Sequence, residues 1–256
     1  MRTIKLKIAY DGSRYQGYQK QPHGNTIQNI LEEFLNKVCG EPVSAKGSGR
    51  TDAGVHALGQ IVSVNTNGKI PCKNLVRASK TMLPEDIVIL EASDAPEGFH
   101  ARYDACWKQY AYKVVVAKQR NPFLVKYAWQ MEAKPDVALM NEAAKLLLGK
   151  HDFTAFRSTG SVDNDPVRTI FHAEWKVINA EELRFYIAGD GFLYHMVRNI
   201  VWSLVQVGLR KRTIAEFKAE INSKRCEFLN SPAPGCGLYL DCVGYVPYDA
   251  KSPEEV

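Results

Sequence analysis

An aspartate with a cation and an imidazole near it in sequence lies in a glycine-rich stretch, residues 47–57. Asp52 follows Arg50 by two residues and precedes His56 by four. Glycines permit backbone conformations that are closed to other residues, and they let a ligand approach the main chain closely. The stretch can therefore present Asp52 at the floor of a cleft. A plain polar turn between two strands has the same composition, and the local residues do not decide between the two interpretations.

Arg198 is the second residue with an unusual setting, because it lies in the apolar helical segment 193–207. An unpaired charge in an apolar environment is costly, so we expect an anionic partner for its guanidinium. We predict Asp52 as that partner, with a purely structural ion pair to another carboxylate as the alternative. His195, one turn earlier, is assigned no catalytic role.

The composition is that of a globular protein, with 256 residues, 45% hydrophobic and 24% charged. The formal net charge of +5 favours a polyanionic partner without identifying it. A nucleic-acid surface would need several basic clusters on one side of the molecule. The basic residues cluster in four places, at Arg2/Lys5/Lys7, Lys73/Arg77/Lys80, Lys118/Arg120 and Arg210/Lys211/Arg212.

Targeting and metal signals are not found in the sequence. The first residues alternate apolar and charged side chains, unlike a signal peptide, and the apolar region 192–207 is too short and too interrupted to span a bilayer. We therefore expect a cytoplasmic protein. The six cysteines form no C-x-x-C pair and have no histidines at zinc-ligand spacing, so we expect reduced, mostly structural thiols and no metal site.

Hydrophobic periodicity predicts the order β-α-β-β-α-β for the first half, with Asp52 in a loop between two strands. The second half shows a similar set of elements. The predicted strands are 4–10, 43–46, 60–64, 87–90, 106–116, 170–178, 183–188 and 238–240. The first predicted helix is capped by Asn25 or Thr26 and ends at Gly40, and the others run from Pro71 to about Met82, over about 136–148, over about 193–207 and from the capping box Thr213-x-x-Glu216. We predict an α+β (α/β) fold of two ferredoxin-like halves, residues 1–105 and 106–256. These halves share a mainly antiparallel sheet, and a central cleft holds the Asp52 loop.

The motifs, taken in order, resemble the tRNA pseudouridine synthase A family over nearly the whole chain. The stretch Gly49-Arg50-Thr51-Asp52-Ala53-Gly54-Val55-His56 matches the catalytic motif of that family residue for residue. The other matching stretches are Tyr10-Asp11-Gly12-Ser13, Leu83-Pro84, Phe99-His100-Ala101-Arg102, Lys108-x-Tyr110-x-Tyr112, His151-Asp152-Phe153-Thr154, Arg168-Thr169, residues 191–200 and Gly237-Leu238-Tyr239-Leu240.

The resemblance implies an enzyme that converts uridine to pseudouridine in the anticodon stem-loop of tRNA, at positions 38, 39 and 40. It makes Asp52 the catalytic aspartate and nucleophile, and Arg50 the side chain that enters the RNA helix and helps displace the nucleotide. Tyr110 corresponds to the tyrosine that stacks on the target base, and Arg198 to the arginine paired with the catalytic carboxylate. No cofactor is expected. The family works as a homodimer that binds tRNA.

Two positions depart from the family pattern. Tyr18 replaces the usual tryptophan, which keeps an aromatic ring and adds a hydroxyl. Trp202 lies where glycine is common, so we expect different local packing there. Three competing interpretations remain open. The first is a catalytically silent RNA-binding protein, and the second is a paralogous synthase with another target position. The third is a carboxylate-based hydrolase or glycosidase, which needs a second catalytic carboxylate.

Overall fold

The computed structural model describes residues 1–22, 24–158, 165–225 and 232–249, and its chain forms two compact units. Unit 1 contains Met1–Cys106 and Tyr239–Val246, and unit 2 contains Trp107–Leu238 and Pro247–Val256. Residues 239–246 thus belong to unit 1, although their place in the sequence predicted that they belong to the second half. The reason is a backbone pairing between the last strand and a strand of unit 1.

Unit 1 has the predicted element order β-α-β-β-α-β. Its elements are β1 (Arg2–Tyr10), α1 (Ile27–Cys39), β2 (Lys46–Gly47), β3 (His56–Thr66), α2 (Cys72–Met82) and β4 (Ile87–Ala95). Strand β1 pairs antiparallel with both β3 and β4, and β2 pairs antiparallel with β3 at Val62 and Ser63. The last strand, β10 (Leu238–Gly244), pairs parallel with the start of β3 at His56 and Ala57.

Local sequence signals explain these elements. Ile4, Leu6 and Ile8 alternate along β1 and are fully buried, as a strand with one core face requires. Helix α1 begins after Thr26, whose hydroxyl accepts a hydrogen bond from the Asn29 N–H, and ends at Gly40 in the left-handed conformation (φ 74°). Of the two N-caps predicted from sequence, Thr26 is the one observed, and Gly40 ends the helix as predicted.

Unit 2 is built from five further strands and three helices within the described residues. These are β5 (Trp107–Val116), β6 (Trp129–Met131), α3 (Val137–Ala144), β7 (Gly149–Asp152), β8 (Val167–Val177), β9 (Glu182–Gly189), α4 (Met196–Gly208) and α5 (Ile214–Ser223). Strand β9 lies between β5 and β8, just as β3 lies beside β1 and β2 in unit 1. Both units are mixed α+β with mainly antiparallel pairing, which confirms the predicted fold class.

The core of unit 2 is aromatic. Trp175 and Phe185 pack against each other across the β8–β9 pair, and Phe153, Phe156 and Phe217 form a second buried group. Helix α3 packs on β8, α4 and α5. The capping box at the start of α5 is present as predicted, because Thr213 and Glu216 each accept a hydrogen bond from the other's backbone N–H.

Two helix boundaries differ from the sequence prediction. Helix α4 begins at Met196 rather than near 193, because His195 has a positive φ of 61° that stops the helix from extending backwards. Helix α3 ends at Ala144, and a short 3-10 turn, Lys145–Leu147, continues it. In the part of the chain that the structure describes, no helix combines the length and apolar character needed to cross a membrane. The five cysteines of that part are free thiols, and Cys226 lies outside it.

Candidate active site

Asp52 lies in the connection between β2 and β3, residues 48–55, hereafter the Asp52 loop. The Asp52 side chain is half-buried, Arg50 is exposed, and Thr51 between them is buried. After Asp52 the chain turns back, because the Val55 N–H donates to the Asp52 carbonyl at 3.1 Å and Gly54 has a φ of 75°. The strand-to-strand loop predicted from sequence is therefore observed, and its carboxylate lies on a tight turn.

A second segment, the chain from Tyr15 to Tyr18, crosses the Asp52 loop at close range. The Tyr18 N–H donates to the Thr51 carbonyl at 3.0 Å, and the Gly54 N–H donates to the Tyr15 carbonyl at 3.4 Å. Gly17 has a φ of 93°, and a Cβ at this position would lie 2.6 Å from the Thr51 carbonyl oxygen. Both the conformation and the contact require glycine here, so the Asp52 loop is fixed through its backbone.

Tyr18, one of the two departures from the family pattern, is buried beneath this crossing. Its hydroxyl donates to the Ala45 carbonyl at 3.1 Å, and its ring fills the space that a Cβ on Gly47 would occupy. Burial raises the pKa of Tyr18 well above its ordinary value, so the hydroxyl stays protonated as a donor. Tyrosine has a hydroxyl that tryptophan lacks, and in this structure that hydroxyl is hydrogen-bonded to the Ala45 carbonyl.

Buried polar side chains that were not predicted as site residues hold the start of the Asp52 loop. Gln60 of β3 is fully buried, and its amide group pairs with Gly49: Nε2 donates to the Gly49 carbonyl at 2.8 Å, and Oε1 accepts from the Gly49 N–H at 3.1 Å. The Ser48 hydroxyl also donates to Oε1 at 2.5 Å. Tyr10 and Thr51 join their hydroxyls at 2.8 Å. A glutamine in a hydrophobic strand, as in Gln60-Ile61-Val62, was the available sequence signal.

His56 begins β3 and is 2% exposed. Its Nδ1 lies 3.1 Å from both the Gly12 backbone nitrogen and an Asp11 carboxylate oxygen. The Gly12 N–H can donate only to an Nδ1 without a proton, and the same Asp11 oxygen already accepts from the Ser13 N–H at 2.9 Å. The ring also stacks on Tyr239 at 4.7 Å, so His56 has structural partners.

The other two predicted site residues belong to unit 2. Tyr110 lies on β5 with 8% of its surface exposed, and its ring meets Phe192 edge-on at 5.2 Å. Arg198 lies in the first turn of α4 and is half-buried. Its Nε donates to the Ala233 carbonyl at 2.7 Å, and the Ala233 N–H donates to the Arg198 carbonyl at 3.3 Å. These bonds fix the guanidinium stem against the 232–234 segment.

The residue before α4 also has fixed surroundings. His195 has a left-handed φ, its Nδ1 lies 3.0 Å from the Ser158 hydroxyl, and its ring stacks on Tyr194 at 3.8 Å.

The structure brings Asp52 and Arg50 together on one loop of unit 1, and it places Tyr110 and Arg198 on two elements of unit 2. The pairing of Arg198 with Asp52 would join the two units and stays a prediction.

Comparison with known proteins identifies relatives along the whole chain. The chain is 42% identical over 246 residues to the tRNA pseudouridine synthase A of Anoxybacillus flavithermus (strain DSM 21510 / WK1), covering 96% of this chain and 99% of that protein. It is 41% identical over 249 residues to the protein of the same name from Lacticaseibacillus casei (strain BL23), covering 96% and 100%. A likeness to the crystal structure of a Cbf5-Nop10-Gar1 complex has a TM-score of 0.34 at 11% identity, covers 79% of this chain and 45% of that one, and carries no argument.

The family model described as tRNA pseudouridine synthase matches residues 7–104 and 143–246. These two ranges include Arg50, Asp52 and Arg198, whereas Tyr110 lies in the stretch between them. With relatives of this identity matched over nearly their full length, the chain belongs to the tRNA pseudouridine synthase family.

Proposed function

We propose that this protein isomerises uridine to pseudouridine in the anticodon stem-loop of tRNA, at positions 38, 39 and 40. The observation that carries the proposal is the Asp52 loop. It presents a half-buried carboxylate on a braced turn, two residues from an exposed arginine, within the stretch that matches the family model. The anticodon positions rest on the family resemblance.

The reaction needs a carboxylate and no redox chemistry. The bond between ribose C1′ and uracil N1 breaks, the base turns, and a bond from C1′ to C5 forms; C5 then loses its proton and N1 gains one. Asp52 acts as the nucleophile in this proposal and attacks either the sugar or the base. In the alternative route its carboxylate removes a ribose proton and acts as a general base. Each route uses a carboxylate oxygen that can reach the nucleotide, which a half-buried side chain on a loop can supply.

The nucleotide must leave its stem before Asp52 can act on it. Displacing a paired base costs a few kcal/mol, so the protein must supply compensating contacts. We assign Arg50 to this task because it is exposed beside Asp52, so its long side chain can enter the RNA helix. Tyr110 supplies the ring that stacks on the displaced base, and Arg198 supplies the charge that pairs with Asp52. These three roles follow the family resemblance.

The decisive experiment compares pseudouridine formation by wild-type protein and Asp52→Asn on an unmodified tRNA transcript. We expect pseudouridine at positions 38–40 and release of the C5 hydrogen with the wild type. We expect no product with Asp52→Asn, while tRNA binding is largely retained, because the amide keeps the shape of the carboxylate but cannot act as a nucleophile. Asp94→Asn is the matched control, since Asp94 is an exposed carboxylate of unit 1 that pairs with Arg2.

The competing interpretations give different results in the same assay. A silent RNA-binding protein binds the transcript and releases no C5 hydrogen, and a glycosidase releases free uracil. A paralogous synthase forms pseudouridine outside positions 38–40. Substantial turnover by Asp52→Asn would remove Asp52 from the mechanism.

We further propose that the protein works as a homodimer in the cytoplasm. The dimer rests on the family resemblance, and the basic excess of five charges supports a polyanionic partner such as tRNA. Light scattering of the purified protein tests the oligomeric state directly. A monomer that retains full activity would contradict the dimer proposal without affecting the proposed reaction.

A further inference from the structure

Gln60 is a buried polar residue whose hydrogen bonds reach the Asp52 loop. Its side chain is fully buried in β3, next to the loop that carries Arg50 and Asp52. The primary amide pairs with both polar groups of Gly49 in the way that a neighbouring strand would, through one donated and one accepted hydrogen bond. Gly49 is a glycine and has no side chain of its own to fix its position, so this pairing determines the orientation of its two peptide groups.

The pairing acts directly on the residues proposed for the reaction. Gly49 is bonded to Arg50, and Asp52 follows three residues later. On the far side of Arg50, Thr51 is held by the Tyr10 hydroxyl, which also forms a hydrogen bond with Gln60. The residues on both sides of Arg50 are therefore connected to one buried amide, although the Arg50 side chain is itself exposed.

We propose that Gln60 is a positioning residue for the isomerisation, which holds Gly49 so that Arg50 and Asp52 project from the loop in a fixed geometry. Gln60 touches neither substrate nor reacting atoms in this proposal and acts through the backbone. The proposal rests on the proposed function. Displacing a catalytic group by about 1 Å can cost on the order of 100-fold in rate, so a loosened Gly49 should affect catalysis more than RNA binding.

The variant Gln60→Glu tests this role at nearly constant shape. In this variant a carboxylate oxygen takes the place of the Nε2 donor and faces the Gly49 carbonyl oxygen. The Gly49 carbonyl therefore loses the hydrogen bond that it accepts in the wild type. Gln60→Ala removes all of these contacts. The matched control is Ser63→Ala, since Ser63 is a buried polar residue of the same strand whose hydroxyl accepts from the Ala101 N–H, away from the Asp52 loop.

The measurements are kcat and KM for tRNA, at a temperature where all variants are folded, and hydrogen exchange of the Gly49 amide. For Gln60→Glu and Gln60→Ala we expect kcat to fall by about 10- to 100-fold with KM nearly unchanged, and the Gly49 amide to exchange faster. Ser63→Ala should keep the wild-type kcat and the slow exchange, even if its melting temperature falls as much as that of the Gln60 variants.

Ser48→Ala extends the test if the Gln60 variants fail to fold. It removes one hydrogen bond to Oε1 and keeps the amide pair with Gly49, so we expect a smaller fall in kcat and slightly faster exchange at Gly49. Equal kcat and equal Gly49 exchange in the Gln60 or Ser48 variants and in Ser63→Ala would overturn the proposal. Failure of the proposed function is distinguishable, because the wild type would then form no pseudouridine while the exchange experiment still reports on the Gln60–Gly49 pairing.

Discussion

Among the single residues, Gly17 has a backbone conformation that lets its segment pass close to the Asp52 loop. Its φ of 93° is unfavourable for a side chain, and a Cβ would press against the Thr51 carbonyl. Gly40 is a natural comparison, because it has a φ of 74° but an added Cβ would meet nothing within 4 Å. Alanine substitutions at the two glycines therefore separate two contributions to the loss of stability. One is the cost of a side chain in the left-handed conformation, and the other is the cost of the clash with the Thr51 carbonyl.

We predict that Gly40→Ala loses about 1 kcal/mol of unfolding free energy, the usual cost of a left-handed residue with a side chain. Gly17→Ala should lose more, because it adds a clash with backbone that cannot move without displacing Thr51 and Asp52. Urea unfolding gives the stabilities, and kcat on tRNA reports the displacement. A Gly17→Ala protein with the stability and the rate of Gly40→Ala would show that the Asp52 loop tolerates movement at this contact.

The sequence indicated the candidate site residues but not the residues that support their loop. Asp52, Arg50 and the glycines around them form a contiguous motif, so the family resemblance is visible in the sequence, and their roles stay predictions. Gln60 is found only when its partners are known. In a one-dimensional pattern a buried polar residue cannot be distinguished from a solvent-facing one, because its hydrogen bonds are made to residues 11 and 12 positions away.

At the scale of elements, the contact of α4 with α5 explains how Trp202 is accommodated. The Arg212 guanidinium lies over the Trp202 ring at 5.0 Å and pairs with the buried Glu220 at 2.9 Å. The Ser203 hydroxyl donates to the same carboxylate at 3.2 Å. Burial is the largest influence on Glu220, and it raises the pKa of this carboxyl above its ordinary value of 4.5.

This shift predicts how stability depends on pH. The folded protein binds the Glu220 proton more tightly than the unfolded chain does, so the Glu220 contribution falls as the pH rises from 4.5 through the folded-state pKa. Glu220→Gln cannot ionise, and its unfolding free energy relative to the wild type should therefore increase over this window. Urea unfolding at a series of pH values measures the difference, and a difference independent of pH would contradict the prediction.

Glu216 supplies a control of opposite sign in the same helix. It accepts from the Thr213 backbone in the capping box, and this hydrogen bond lowers the pKa of Glu216. Its contribution to stability is present above the unfolded-state pKa and is lost as the pH falls through the folded-state pKa. Glu216→Gln should therefore lose stability relative to the wild type as the pH rises.

Helix α2 is the element of unit 1 whose exposed face best suits RNA phosphates. Lys73, Arg77 and Lys80 are spaced four and three residues apart, lie on one side of the helix and are exposed. The basic residues at the start of β1 instead contact groups of the protein itself, since Arg2 pairs with Asp94 and Lys5 lies over the Tyr245 ring. The α2 face is therefore the stronger candidate for tRNA binding.

We predict that Arg77→Glu weakens tRNA binding and lowers the salt dependence of the affinity by about one unit of slope, because one phosphate contact is lost. Lys218→Glu is matched to it, since Lys218 is an exposed cation in α5 and the substitution changes the net charge equally. Binding titrations at several salt concentrations compare the two. Equal effects of both variants would mean that only the net charge matters and that α2 makes no specific contact.

Element prediction succeeded where capping and periodicity act together, and it failed at boundaries that depend on strand pairing or on the backbone conformation of one residue. The start of α1 was predicted within one residue, at Asn25 or Thr26, and its end was predicted at Gly40, because both are local signals. The strand predicted at 43–46 is instead the two-residue β2, because only Lys46 and Gly47 pair with β3. The start of α4 depends on the φ of His195, which no periodicity reveals.

At the scale of the whole molecule, the sequence order of the elements did not predict which unit contains β10. Residues 239–246 follow unit 2 in sequence but belong to unit 1. Their contacts there are specific. The Cys106 N–H donates to the Gly244 carbonyl at 2.9 Å, the Tyr245 hydroxyl donates to the Ala101 carbonyl at 2.7 Å, and a Cβ on Gly59 would lie 2.6 Å from the Asp241 carbonyl. Such pairing between distant segments leaves no local pattern.

These contacts predict that residues 1–106 alone are an incomplete folding unit. Without 239–246, His56 and Ala57 at the start of β3 lose their pairing with β10, and His56 loses the Tyr239 ring, so this edge of β3 is exposed next to the Asp52 loop. A fragment in which 239–246 is joined to 1–106 by a flexible linker should melt at a higher temperature than 1–106. It should also protect the amides at the start of β3 from hydrogen exchange.

A linked fragment carrying Tyr245→Phe, which removes the bond to the Ala101 carbonyl, should have a melting temperature between those of 1–106 and the linked fragment. Equal melting temperatures for 1–106 and the linked fragment would show that β10 adds nothing to the stability of unit 1, and that the first half of the chain folds by itself as the sequence order suggests.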